Sequence, residues 1–281
     1  MDHSCGQYRS PAPTPRATGQ HPDKVMLINR DRIAYAGLLG APKQRNLGSL
    51  TLYLSLAGPF RIRIEDGPWH TTRFAVIPPY LPHWVETDDR LIGVVMIEPE
   101  YIDPADLPAS LAPGIRPLAH CDMADRLREA FSRLCGQTHL STRDFDELFF
   151  GARLVTRPLD HRIAQVAERI RAEPCELHDA ESSAGQAGLS FSRFLHLFAN
   201  EVGVSYRRYR AWKRARALLP YVAQARNLTD VALELGYPDS THFSHSIRSV
   251  YGLRPKDIFA GSRRLSVIVQ PGAARPLTCA A

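Results

Sequence analysis

The residues best suited to chemistry fall into three groups. Between 190 and 226 lie eight cations, Arg193, Arg207, Arg208, Arg210, Lys213, Arg214, Arg216 and Arg226, against the single anion Glu201. Tyr206, Tyr209 and Trp212 are interleaved with them. Such a run suits a polyanion, because guanidinium and ammonium groups hold phosphates while aromatic rings pack or stack. The second group is histidine. His242-x-x-His245 approaches the spacing of a helical metal pair, but no Glu or Cys stands near it to complete a site. His70 and His83 likewise make two ligands where three are needed. The third group is Trp69, Tyr80, His83 and Trp84, which suit the lining of an apolar pocket for a small effector or the filling of a barrel. Ser/His/Asp triad spacing, a phosphate-binding loop and a dinucleotide fingerprint are all missing. We expect no metal, no cofactor and no enzyme activity.

The elements that must position these groups differ along the chain. Residues 1–24 carry Pro11, Pro13, Pro15 and Pro22 among small polar residues, so a flexible arm is expected. From 25 to 118 the pattern is short and alternating. Leu50–Leu56 and Phe60–Ile64 alternate, Phe74–Ile77 and Leu91–Ile97 are apolar runs, and Gly58-Pro59, Asp66-Gly67-Pro68, Pro78-Pro79 and Asp88-Asp89 separate them. Many short strands predict a sandwich or barrel. After Pro117 the period becomes helical. Met123, Leu127, Ala130, Phe131 and Leu134 share one face, and Ser141-Thr142-Arg143-Asp144 opens a second helix carrying Phe145, Leu148 and Phe149. Residues 119–156 are thus expected to be a helical linker, with homodimerisation through 122–150 or the barrel. A further helix is predicted from Leu159 to Ile170, and residues 263–281 are expected to be a flexible tail. Cys121, Cys135 and Cys175 suit small buried hydrophobes, and five scattered cysteines fit free thiols in a reducing cytosol.

Composition excludes other classes. Of the 281 residues 44% are apolar and 23% charged, as in globular chains. No apolar run reaches 18 residues and the N-terminal stretch has no secretory apolar region, so no membrane association is expected. The net charge of +6 is unevenly placed: residues 1–156 sum to −1 and residues 157–264 to +6. A near-neutral half joined to a basic half suggests one module that meets a polyanion and one that does not.

The basic half contains a repeat. Ala184-x3-Gly188-Leu189-Ser190-x3-Phe194-x3-Phe198 is echoed by Ala232-x3-Gly236-Tyr237-x2-Ser240-x2-Phe243-x3-Ile247. A small Ala lets two helices cross closely, Gly makes the turn, Ser or Asp caps the second helix, and its apolar pair faces inward. At about 100° per residue, Phe194, Leu197 and Phe198 fall opposite Ser192, Leu195 and His196, and Phe243, Ile247 and Val250 fall opposite Thr241, Ser244, His245 and Arg248. The basic stretch Ser205–Leu219 between the copies reads as a helix of roughly 22 Å, able to hold two heads apart on the scale of one duplex turn, about 34 Å.

These residues carry a family resemblance. Residues 157–262 resemble the DNA-binding domain of AraC-type transcriptional regulators, two helix-turn-helix units joined by a linker helix. The strongest stretch is Leu228–Phe243 with Tyr251-Gly252-Leu253-Arg254-Pro255, and the first unit matches at Gly188, Leu189, Ser190, Phe194, Phe198, Gly203, Ser205 and Tyr209. The resemblance implies sequence-specific binding of double-stranded promoter DNA in a bacterial cytoplasm, at the nucleoid, and contact with RNA polymerase. It assigns base-facing roles to Ser192, Arg193, Leu195 and His196 in unit one, and to Ser240, Thr241, His242 and His245 in unit two. Arg207, Arg208, Lys213, Arg214 and Arg248 are expected to face phosphates. His245 stands where the family usually has Arg and Ile247 where it has Phe. The helix Glu181-Ser182-Ser183 is unusually polar, and Pro220 ends the linker helix sharply. Pro78-Pro79-Tyr80-Leu81-Pro82-His83 is similar to the second cupin motif PxGxxH, with Tyr80 in the Gly position and the first motif's His-x-His pair missing. A cupin-like sensor barrel with an unknown small-molecule effector is therefore expected at 25–118. A barrel that only supports or dimerises the chain is the alternative, and a cupin metalloenzyme with a DNA-binding module a further one.

Overall fold

A computed structural model describes residues 24–119, 121–134, 139–271 and 273. Nearly all of the expected N-terminal arm, the last eight residues, and Cys5, Cys135 and Cys279 lie outside the described residues.

The strands are β1 (Val25–Ile28), β2 (Arg32–Leu38), β3 (Leu50–Ser55), β4 (Phe60–Ile64), β5 (Trp69–Thr72), β6 (Phe74–Ile77), β7 (His83–Thr87), β8 (Leu91–Ile97) and β9 (Gly114–Ile115). The helices are α1 (Asp122–Leu134), α2 (Thr142–Phe150), α3 (His161–Ala172), α4 (Ala180–Gln186), α5 (Phe191–Val202), α6 (Tyr206–Arg216), α7 (Leu228–Glu234), α8 (Ser240–Tyr251) and α9 (Pro255–Ser262). A last strand, β10 (Ser266–Val269), follows α9.

Of the sandwich or barrel expected, the strands form two sheets that do not close into a barrel. One has seven strands in the order β10-β1-β2-β8-β3-β6-β9, the other three in the order β5-β4-β7. They share a core: Phe60, Ile62 and Val85 of the small sheet pack with Tyr53, Ala75 and Ile77 of the large one. The large sheet is buried on both faces, which explains its apolar runs. Along β3, Tyr53 faces the small sheet, while Leu52 and Leu54 face α1 and α2 through Leu127, Phe131, Phe145 and Phe149. The apolar stripes of α1 and α2 are therefore covered by the sheet. Buried Asp146 of α2 anchors this layer by accepting two hydrogen bonds from the Arg32 guanidinium, at 3.0 and 3.3 Å.

The tail expectation is also corrected. Residues 266–269 form β10, parallel to β1, pairing Val25 with Ser266 through Ile28 with Val269. Gln270 is buried, and its side-chain oxygen accepts the Leu140 amide at 3.1 Å. The sequence Ser-Val-Ile-Val is short and β-branched, and an unpaired β1 edge accepts it. The chain thus returns from the helical domain to the edge of the β-domain.

The helical domain is divided between two cores. α3, α4, α5 and the start of α6 enclose Ile163, Ala184, Phe194, Phe198, Tyr206 and Tyr209. The second set, Val231, Ala232, Leu235, Phe243, Ile247 and Tyr251, is continuous with the core between the two sheets.

Candidate nucleic-acid interface

Each half of the repeat folds as a helix, a tight turn and a second helix. Gly188 and Gly236 hold the turns at φ +63° and +71°, a region glycine enters without steric cost. A Cβ on Gly236 would stand 2.2 Å from the Cys175 carbonyl oxygen, so glycine is also needed there for close approach. Side-chain caps set the helix starts. Asp179 accepts from the Ser182 amide at 2.7 Å, Asn227 from the Thr229 amide at 2.9 Å, and Asp239 from the Thr241 and His242 amides, both at 2.8 Å. The polar start of α4 is accommodated by a buried contact of 2.7 Å between the Ser183 and Tyr206 hydroxyls.

Helices α5 and α8 are two-faced. Phe194, Phe198 and Val202 of α5 are buried, as are Phe243, Ile247 and Tyr251 of α8. Phe194 and Phe198 each meet Tyr206 at 5.1 Å between ring centroids. On the opposite faces Ser192, Arg193 and His196 are exposed and Leu195 is half-buried; Ser240, Thr241, His242, His245 and Arg248 are exposed. The His242 imidazole lies 2.7 Å from the Asp239 carboxylate. Two backbone amides and this imidazole hold the Asp239 carboxyl below its ordinary range, so the cap and His242 form one unit at the tip of α8. Periodicity did not single out Phe191, which is 52% exposed at the first position of α5.

Helix α6 departs from the sequence reading. Arg207 and Arg208 are exposed, with the Arg208 guanidinium 5.4 Å above the Tyr80 ring. Arg214 is half-buried and lies 5.5 Å from the Tyr237 ring. Lys213, expected to face phosphate, is 3% exposed and points into the protein. Tyr209, Trp212, Lys213 and Arg216 form one face of α6, which docks on the end of β8 and the short 3-10 turn Pro99–Tyr101. The Lys213 ammonium donates to Glu98 at 2.6 Å and to Glu100 at 2.5 Å. The Trp212 indole donates to Glu98 at 2.8 Å, the Tyr209 hydroxyl to Glu100 at 3.1 Å, and Arg216 lies 2.7 Å from Glu98. Burial alone would raise both carboxyls. At Glu98 the two cations and the donated hydrogen bonds outweigh it and the pKa falls, whereas at Glu100 burial prevails and the pKa rises. Burial opposes the charge on Lys213, but Glu100 and Glu98 prevail and raise its pKa. Its charge pattern suggested that Lys213 faces phosphate, but the glutamates that neutralise it lie more than 110 residues away in sequence. Of the other cations, Arg207 and Arg208 of α6 and Arg248 of α8 are exposed, and Arg210 and Arg214 of α6 are half-buried.

The aromatic set around the PxGxxH-like segment also separates. Trp69 and Trp84 stand on the outer side of the small sheet, with the Arg63 guanidinium 5.2 and 4.1 Å from their rings. His83 is buried and holds the fold: its Nδ1–H donates to the Leu81 carbonyl at 2.7 Å and its Nε2 accepts from the Tyr53 hydroxyl at 2.8 Å. Burial is the main cause that lowers its pKa to about 4, with Arg45 contributing. Tyr80 adopts φ +60°, the left-handed conformation for which the motif's glycine is suited. None of these four residues lines a cavity of about 660 Å³ elsewhere in the molecule. That cavity lies between Tyr35, Arg45, Leu47 and Met96 of the β-domain and Leu253 and Ile258 at the end of the helical domain. Among the described residues, no cluster of three metal-ligating side chains occurs and no helix is long and apolar enough to cross a membrane.

This arrangement defines a class. Residues 183–261 match the family model described as a helix-turn-helix domain, and in this chain that stretch lies behind a β-sheet domain. Among curated proteins, the chain is similar to the invasion protein InvF of Salmonella typhi and of Salmonella typhimurium, 32% identical to each over 84 residues. That match covers 30% of this chain and 36% of each relative, so the chain spans about a third of their length. Among solved structures it is similar in fold to ToxT of Vibrio cholerae. An apo form of ToxT gives a TM-score of 0.59 at 12% identity over 83% of this chain and 98% of that one. ToxT bound to (E)-4-(8-methylnaphthalen-1-yl)but-3-enoic acid gives 0.54 at 11% identity, over 82% and 98%.

Proposed function

We propose that the protein is a sequence-specific DNA-binding transcriptional regulator and not an enzyme. The observation that carries this reading is the pair of helices α5 and α8, each packed on its apolar side and each presenting a polar face on the side away from the core. Helices of this kind enter the major groove. Ser192, Arg193, Leu195 and His196 read bases in one half-site, and Ser240, Thr241, His242 and His245 in the other. Arg207, Arg208, Arg214 and Arg248 hold phosphates. The regulator works at the nucleoid in the bacterial cytoplasm, as a homodimer on repeated half-sites, and acts on RNA polymerase. Its dimer contact lies outside the covered faces of α1 and α2.

The β-domain senses a small molecule. The support is the 660 Å³ cavity, which joins that domain to the second reading unit, and the butenoic acid derivative bound in one similarly folded ToxT structure. Binding there changes DNA affinity only if the two domain arrangements bind the molecule differently. Selection of sites from random duplexes, followed by titration across a salt series, tests the central reading. Recovery of a defined sequence and a steep loss of affinity with salt are expected. Failure to enrich any sequence, or affinity indifferent to salt, refutes it.

A further inference from the structure

The large sheet ends in a strand that is paired on one side. β10 gives that side to β1: the Ser266 amide donates to the Lys24 carbonyl at 2.9 Å, and the Gln270 amide donates to the Ile28 carbonyl at 2.8 Å. In this parallel register residues 266, 268 and 270 turn their backbone groups toward β1. The amides and carbonyls of Val267 and Val269, which alternate with them, point the other way. Among the described residues no strand pairs with that outer side. Natural sheets guard such edges with charge, proline, a bulge or brevity. The other edges are shorter, more polar or bridged: β9 has two residues, β5 is polar apart from Trp69, and β7 is bridged at His83 by Arg45. β10 reads Ser-Val-Ile-Val, without a charge, and Val269 is 38% exposed.

The outer side of β10 is complementary to itself. When two copies meet antiparallel about a two-fold axis through Ile268, Val267 of each lies opposite Val269 of the other. Each of these pairs exchanges both of its N–H···O=C bonds, so all the outward groups of Val267 and Val269 are satisfied. The valines then cover one another on one face, and Ile268 meets its own copy on the other. Val267 packs against the core between the sheets and Ile268 against the core under α1 and α2, so both faces of the sheet continue across the junction. Charge does not oppose the contact. Arg263 and Arg264 flank the strand, but in this register the two copies of Arg264 stand about eight residues apart, roughly 27 Å, well beyond a Debye length of about 8 Å at physiological salt. A standard interface takes about 20–30 residues a side, and this one takes four from each copy. The contact is therefore weak in free solution and takes effect where DNA holds two copies close together.

Resting on the homodimer reading above, we infer that β10 joins the two copies, its partner being β10 of a second copy of this chain. Antiparallel pairing at Val267 and Val269 makes one continuous sheet of the two seven-stranded sheets. The pairing is isologous. Two molecules joined this way meet DNA in opposite orientations, so inverted repeats of the site bind cooperatively and direct repeats do not.

The test uses the full chain on duplexes carrying one copy of its selected site, two inverted copies, or two direct copies. The second molecule is expected to bind the inverted pair about tenfold or more tightly than the single site, and the direct pair with no such gain. Val267→Pro removes an outward amide that β1 does not use, at an edge position that accepts proline. Val269→Lys places a charge at the junction. Both should abolish the gain and leave single-site affinity unchanged. Ile268→Cys should form a disulfide between copies on the inverted duplex under mild oxidation, since non-hydrogen-bonded partners stand about 4.5 Å apart between Cα atoms. Ser266→Cys and the unaltered chain should not. Sedimentation equilibrium without DNA at millimolar protein should show a dimer that both Val267→Pro and Val269→Lys lose. Cooperativity or dimer that survives both substitutions, an equal gain on direct repeats, or crosslinking of Ser266→Cys as ready as that of Ile268→Cys overturns the inference. Single-site binding and DNA-free sedimentation are read separately, so failure here is distinct from failure of the regulator reading.

Discussion

Lys213→Met removes the cation from the buried clamp while keeping a side chain of similar length. Glu98 and Glu100 then face each other, and Glu98 keeps the Trp212 indole and Arg216 while Glu100 keeps only the Tyr209 hydroxyl as a side-chain donor. Breaking a buried pair by removing one partner costs about 3–5 kcal/mol. The upper half of that range applies, because two ion pairs, at 2.6 and 2.5 Å, disappear together. Urea unfolding of the full chain reads this directly. The same variant discriminates the role of the residue. Removing one cation that neutralises a B-DNA phosphate lowers the slope of log K against log salt by about 0.9. A lysine 3% exposed behind α6 contributes none of that slope. The expected outcome is a large fall in stability with an unchanged salt slope, whereas Arg207→Ala should lower the slope with little effect on stability. A Lys213→Met protein of normal stability and reduced slope would refute the clamp.

Three further outcomes follow from local geometry. Gly236→Ala should cost about 2 kcal/mol or more, from the left-handed backbone and the approach of 2.2 Å to the Cys175 carbonyl, with loss of protection over one half-site only. His83 is neutral in the fold, with its pKa lowered from 6.5 to about 4. Its contribution is therefore complete above pH 6.5 and is lost as pH falls toward 4, about 3 kcal/mol in all; unfolding of His83→Gln should show a shallower acid limb. A chain ending at Arg264 lacks β10, and amide exchange in β1 should quicken, since β1 loses its parallel partner strand from Val25–Ser266 to Ile28–Val269 and becomes the edge of the sheet.

Much of the helical domain was legible because its signals are local. Gly188 and Gly236 mark turns, and the Phe194/Phe198 and Phe243/Ile247 pairs mark inward faces; all follow from spacing within a few residues. The family-atypical Ile247 still faces inward and is fully buried, as periodicity required. What was not legible depends on distant partners. Tyr209, Trp212, Lys213 and Arg216 stand at helical spacing, but only Glu98 and Glu100 make that face the buried one. Trp69 and Trp84 read as pocket residues until strand register set each opposite Arg63 on the outer side of β4. β10 could not be seen before the edge of β1 was known to be open. The cavity was missed for the same reason: Arg45 and Leu253 approach only when the two domains pack.

Hydroxyl-radical footprinting of the full chain on its selected site is the most direct measurement of the central claim. Two protected segments about one helical turn apart are expected, with Arg193→Ala altering base preference in one and His245→Ala in the other. A single protected segment, or substitutions that weaken all sequences equally, would contradict the account of two reading helices.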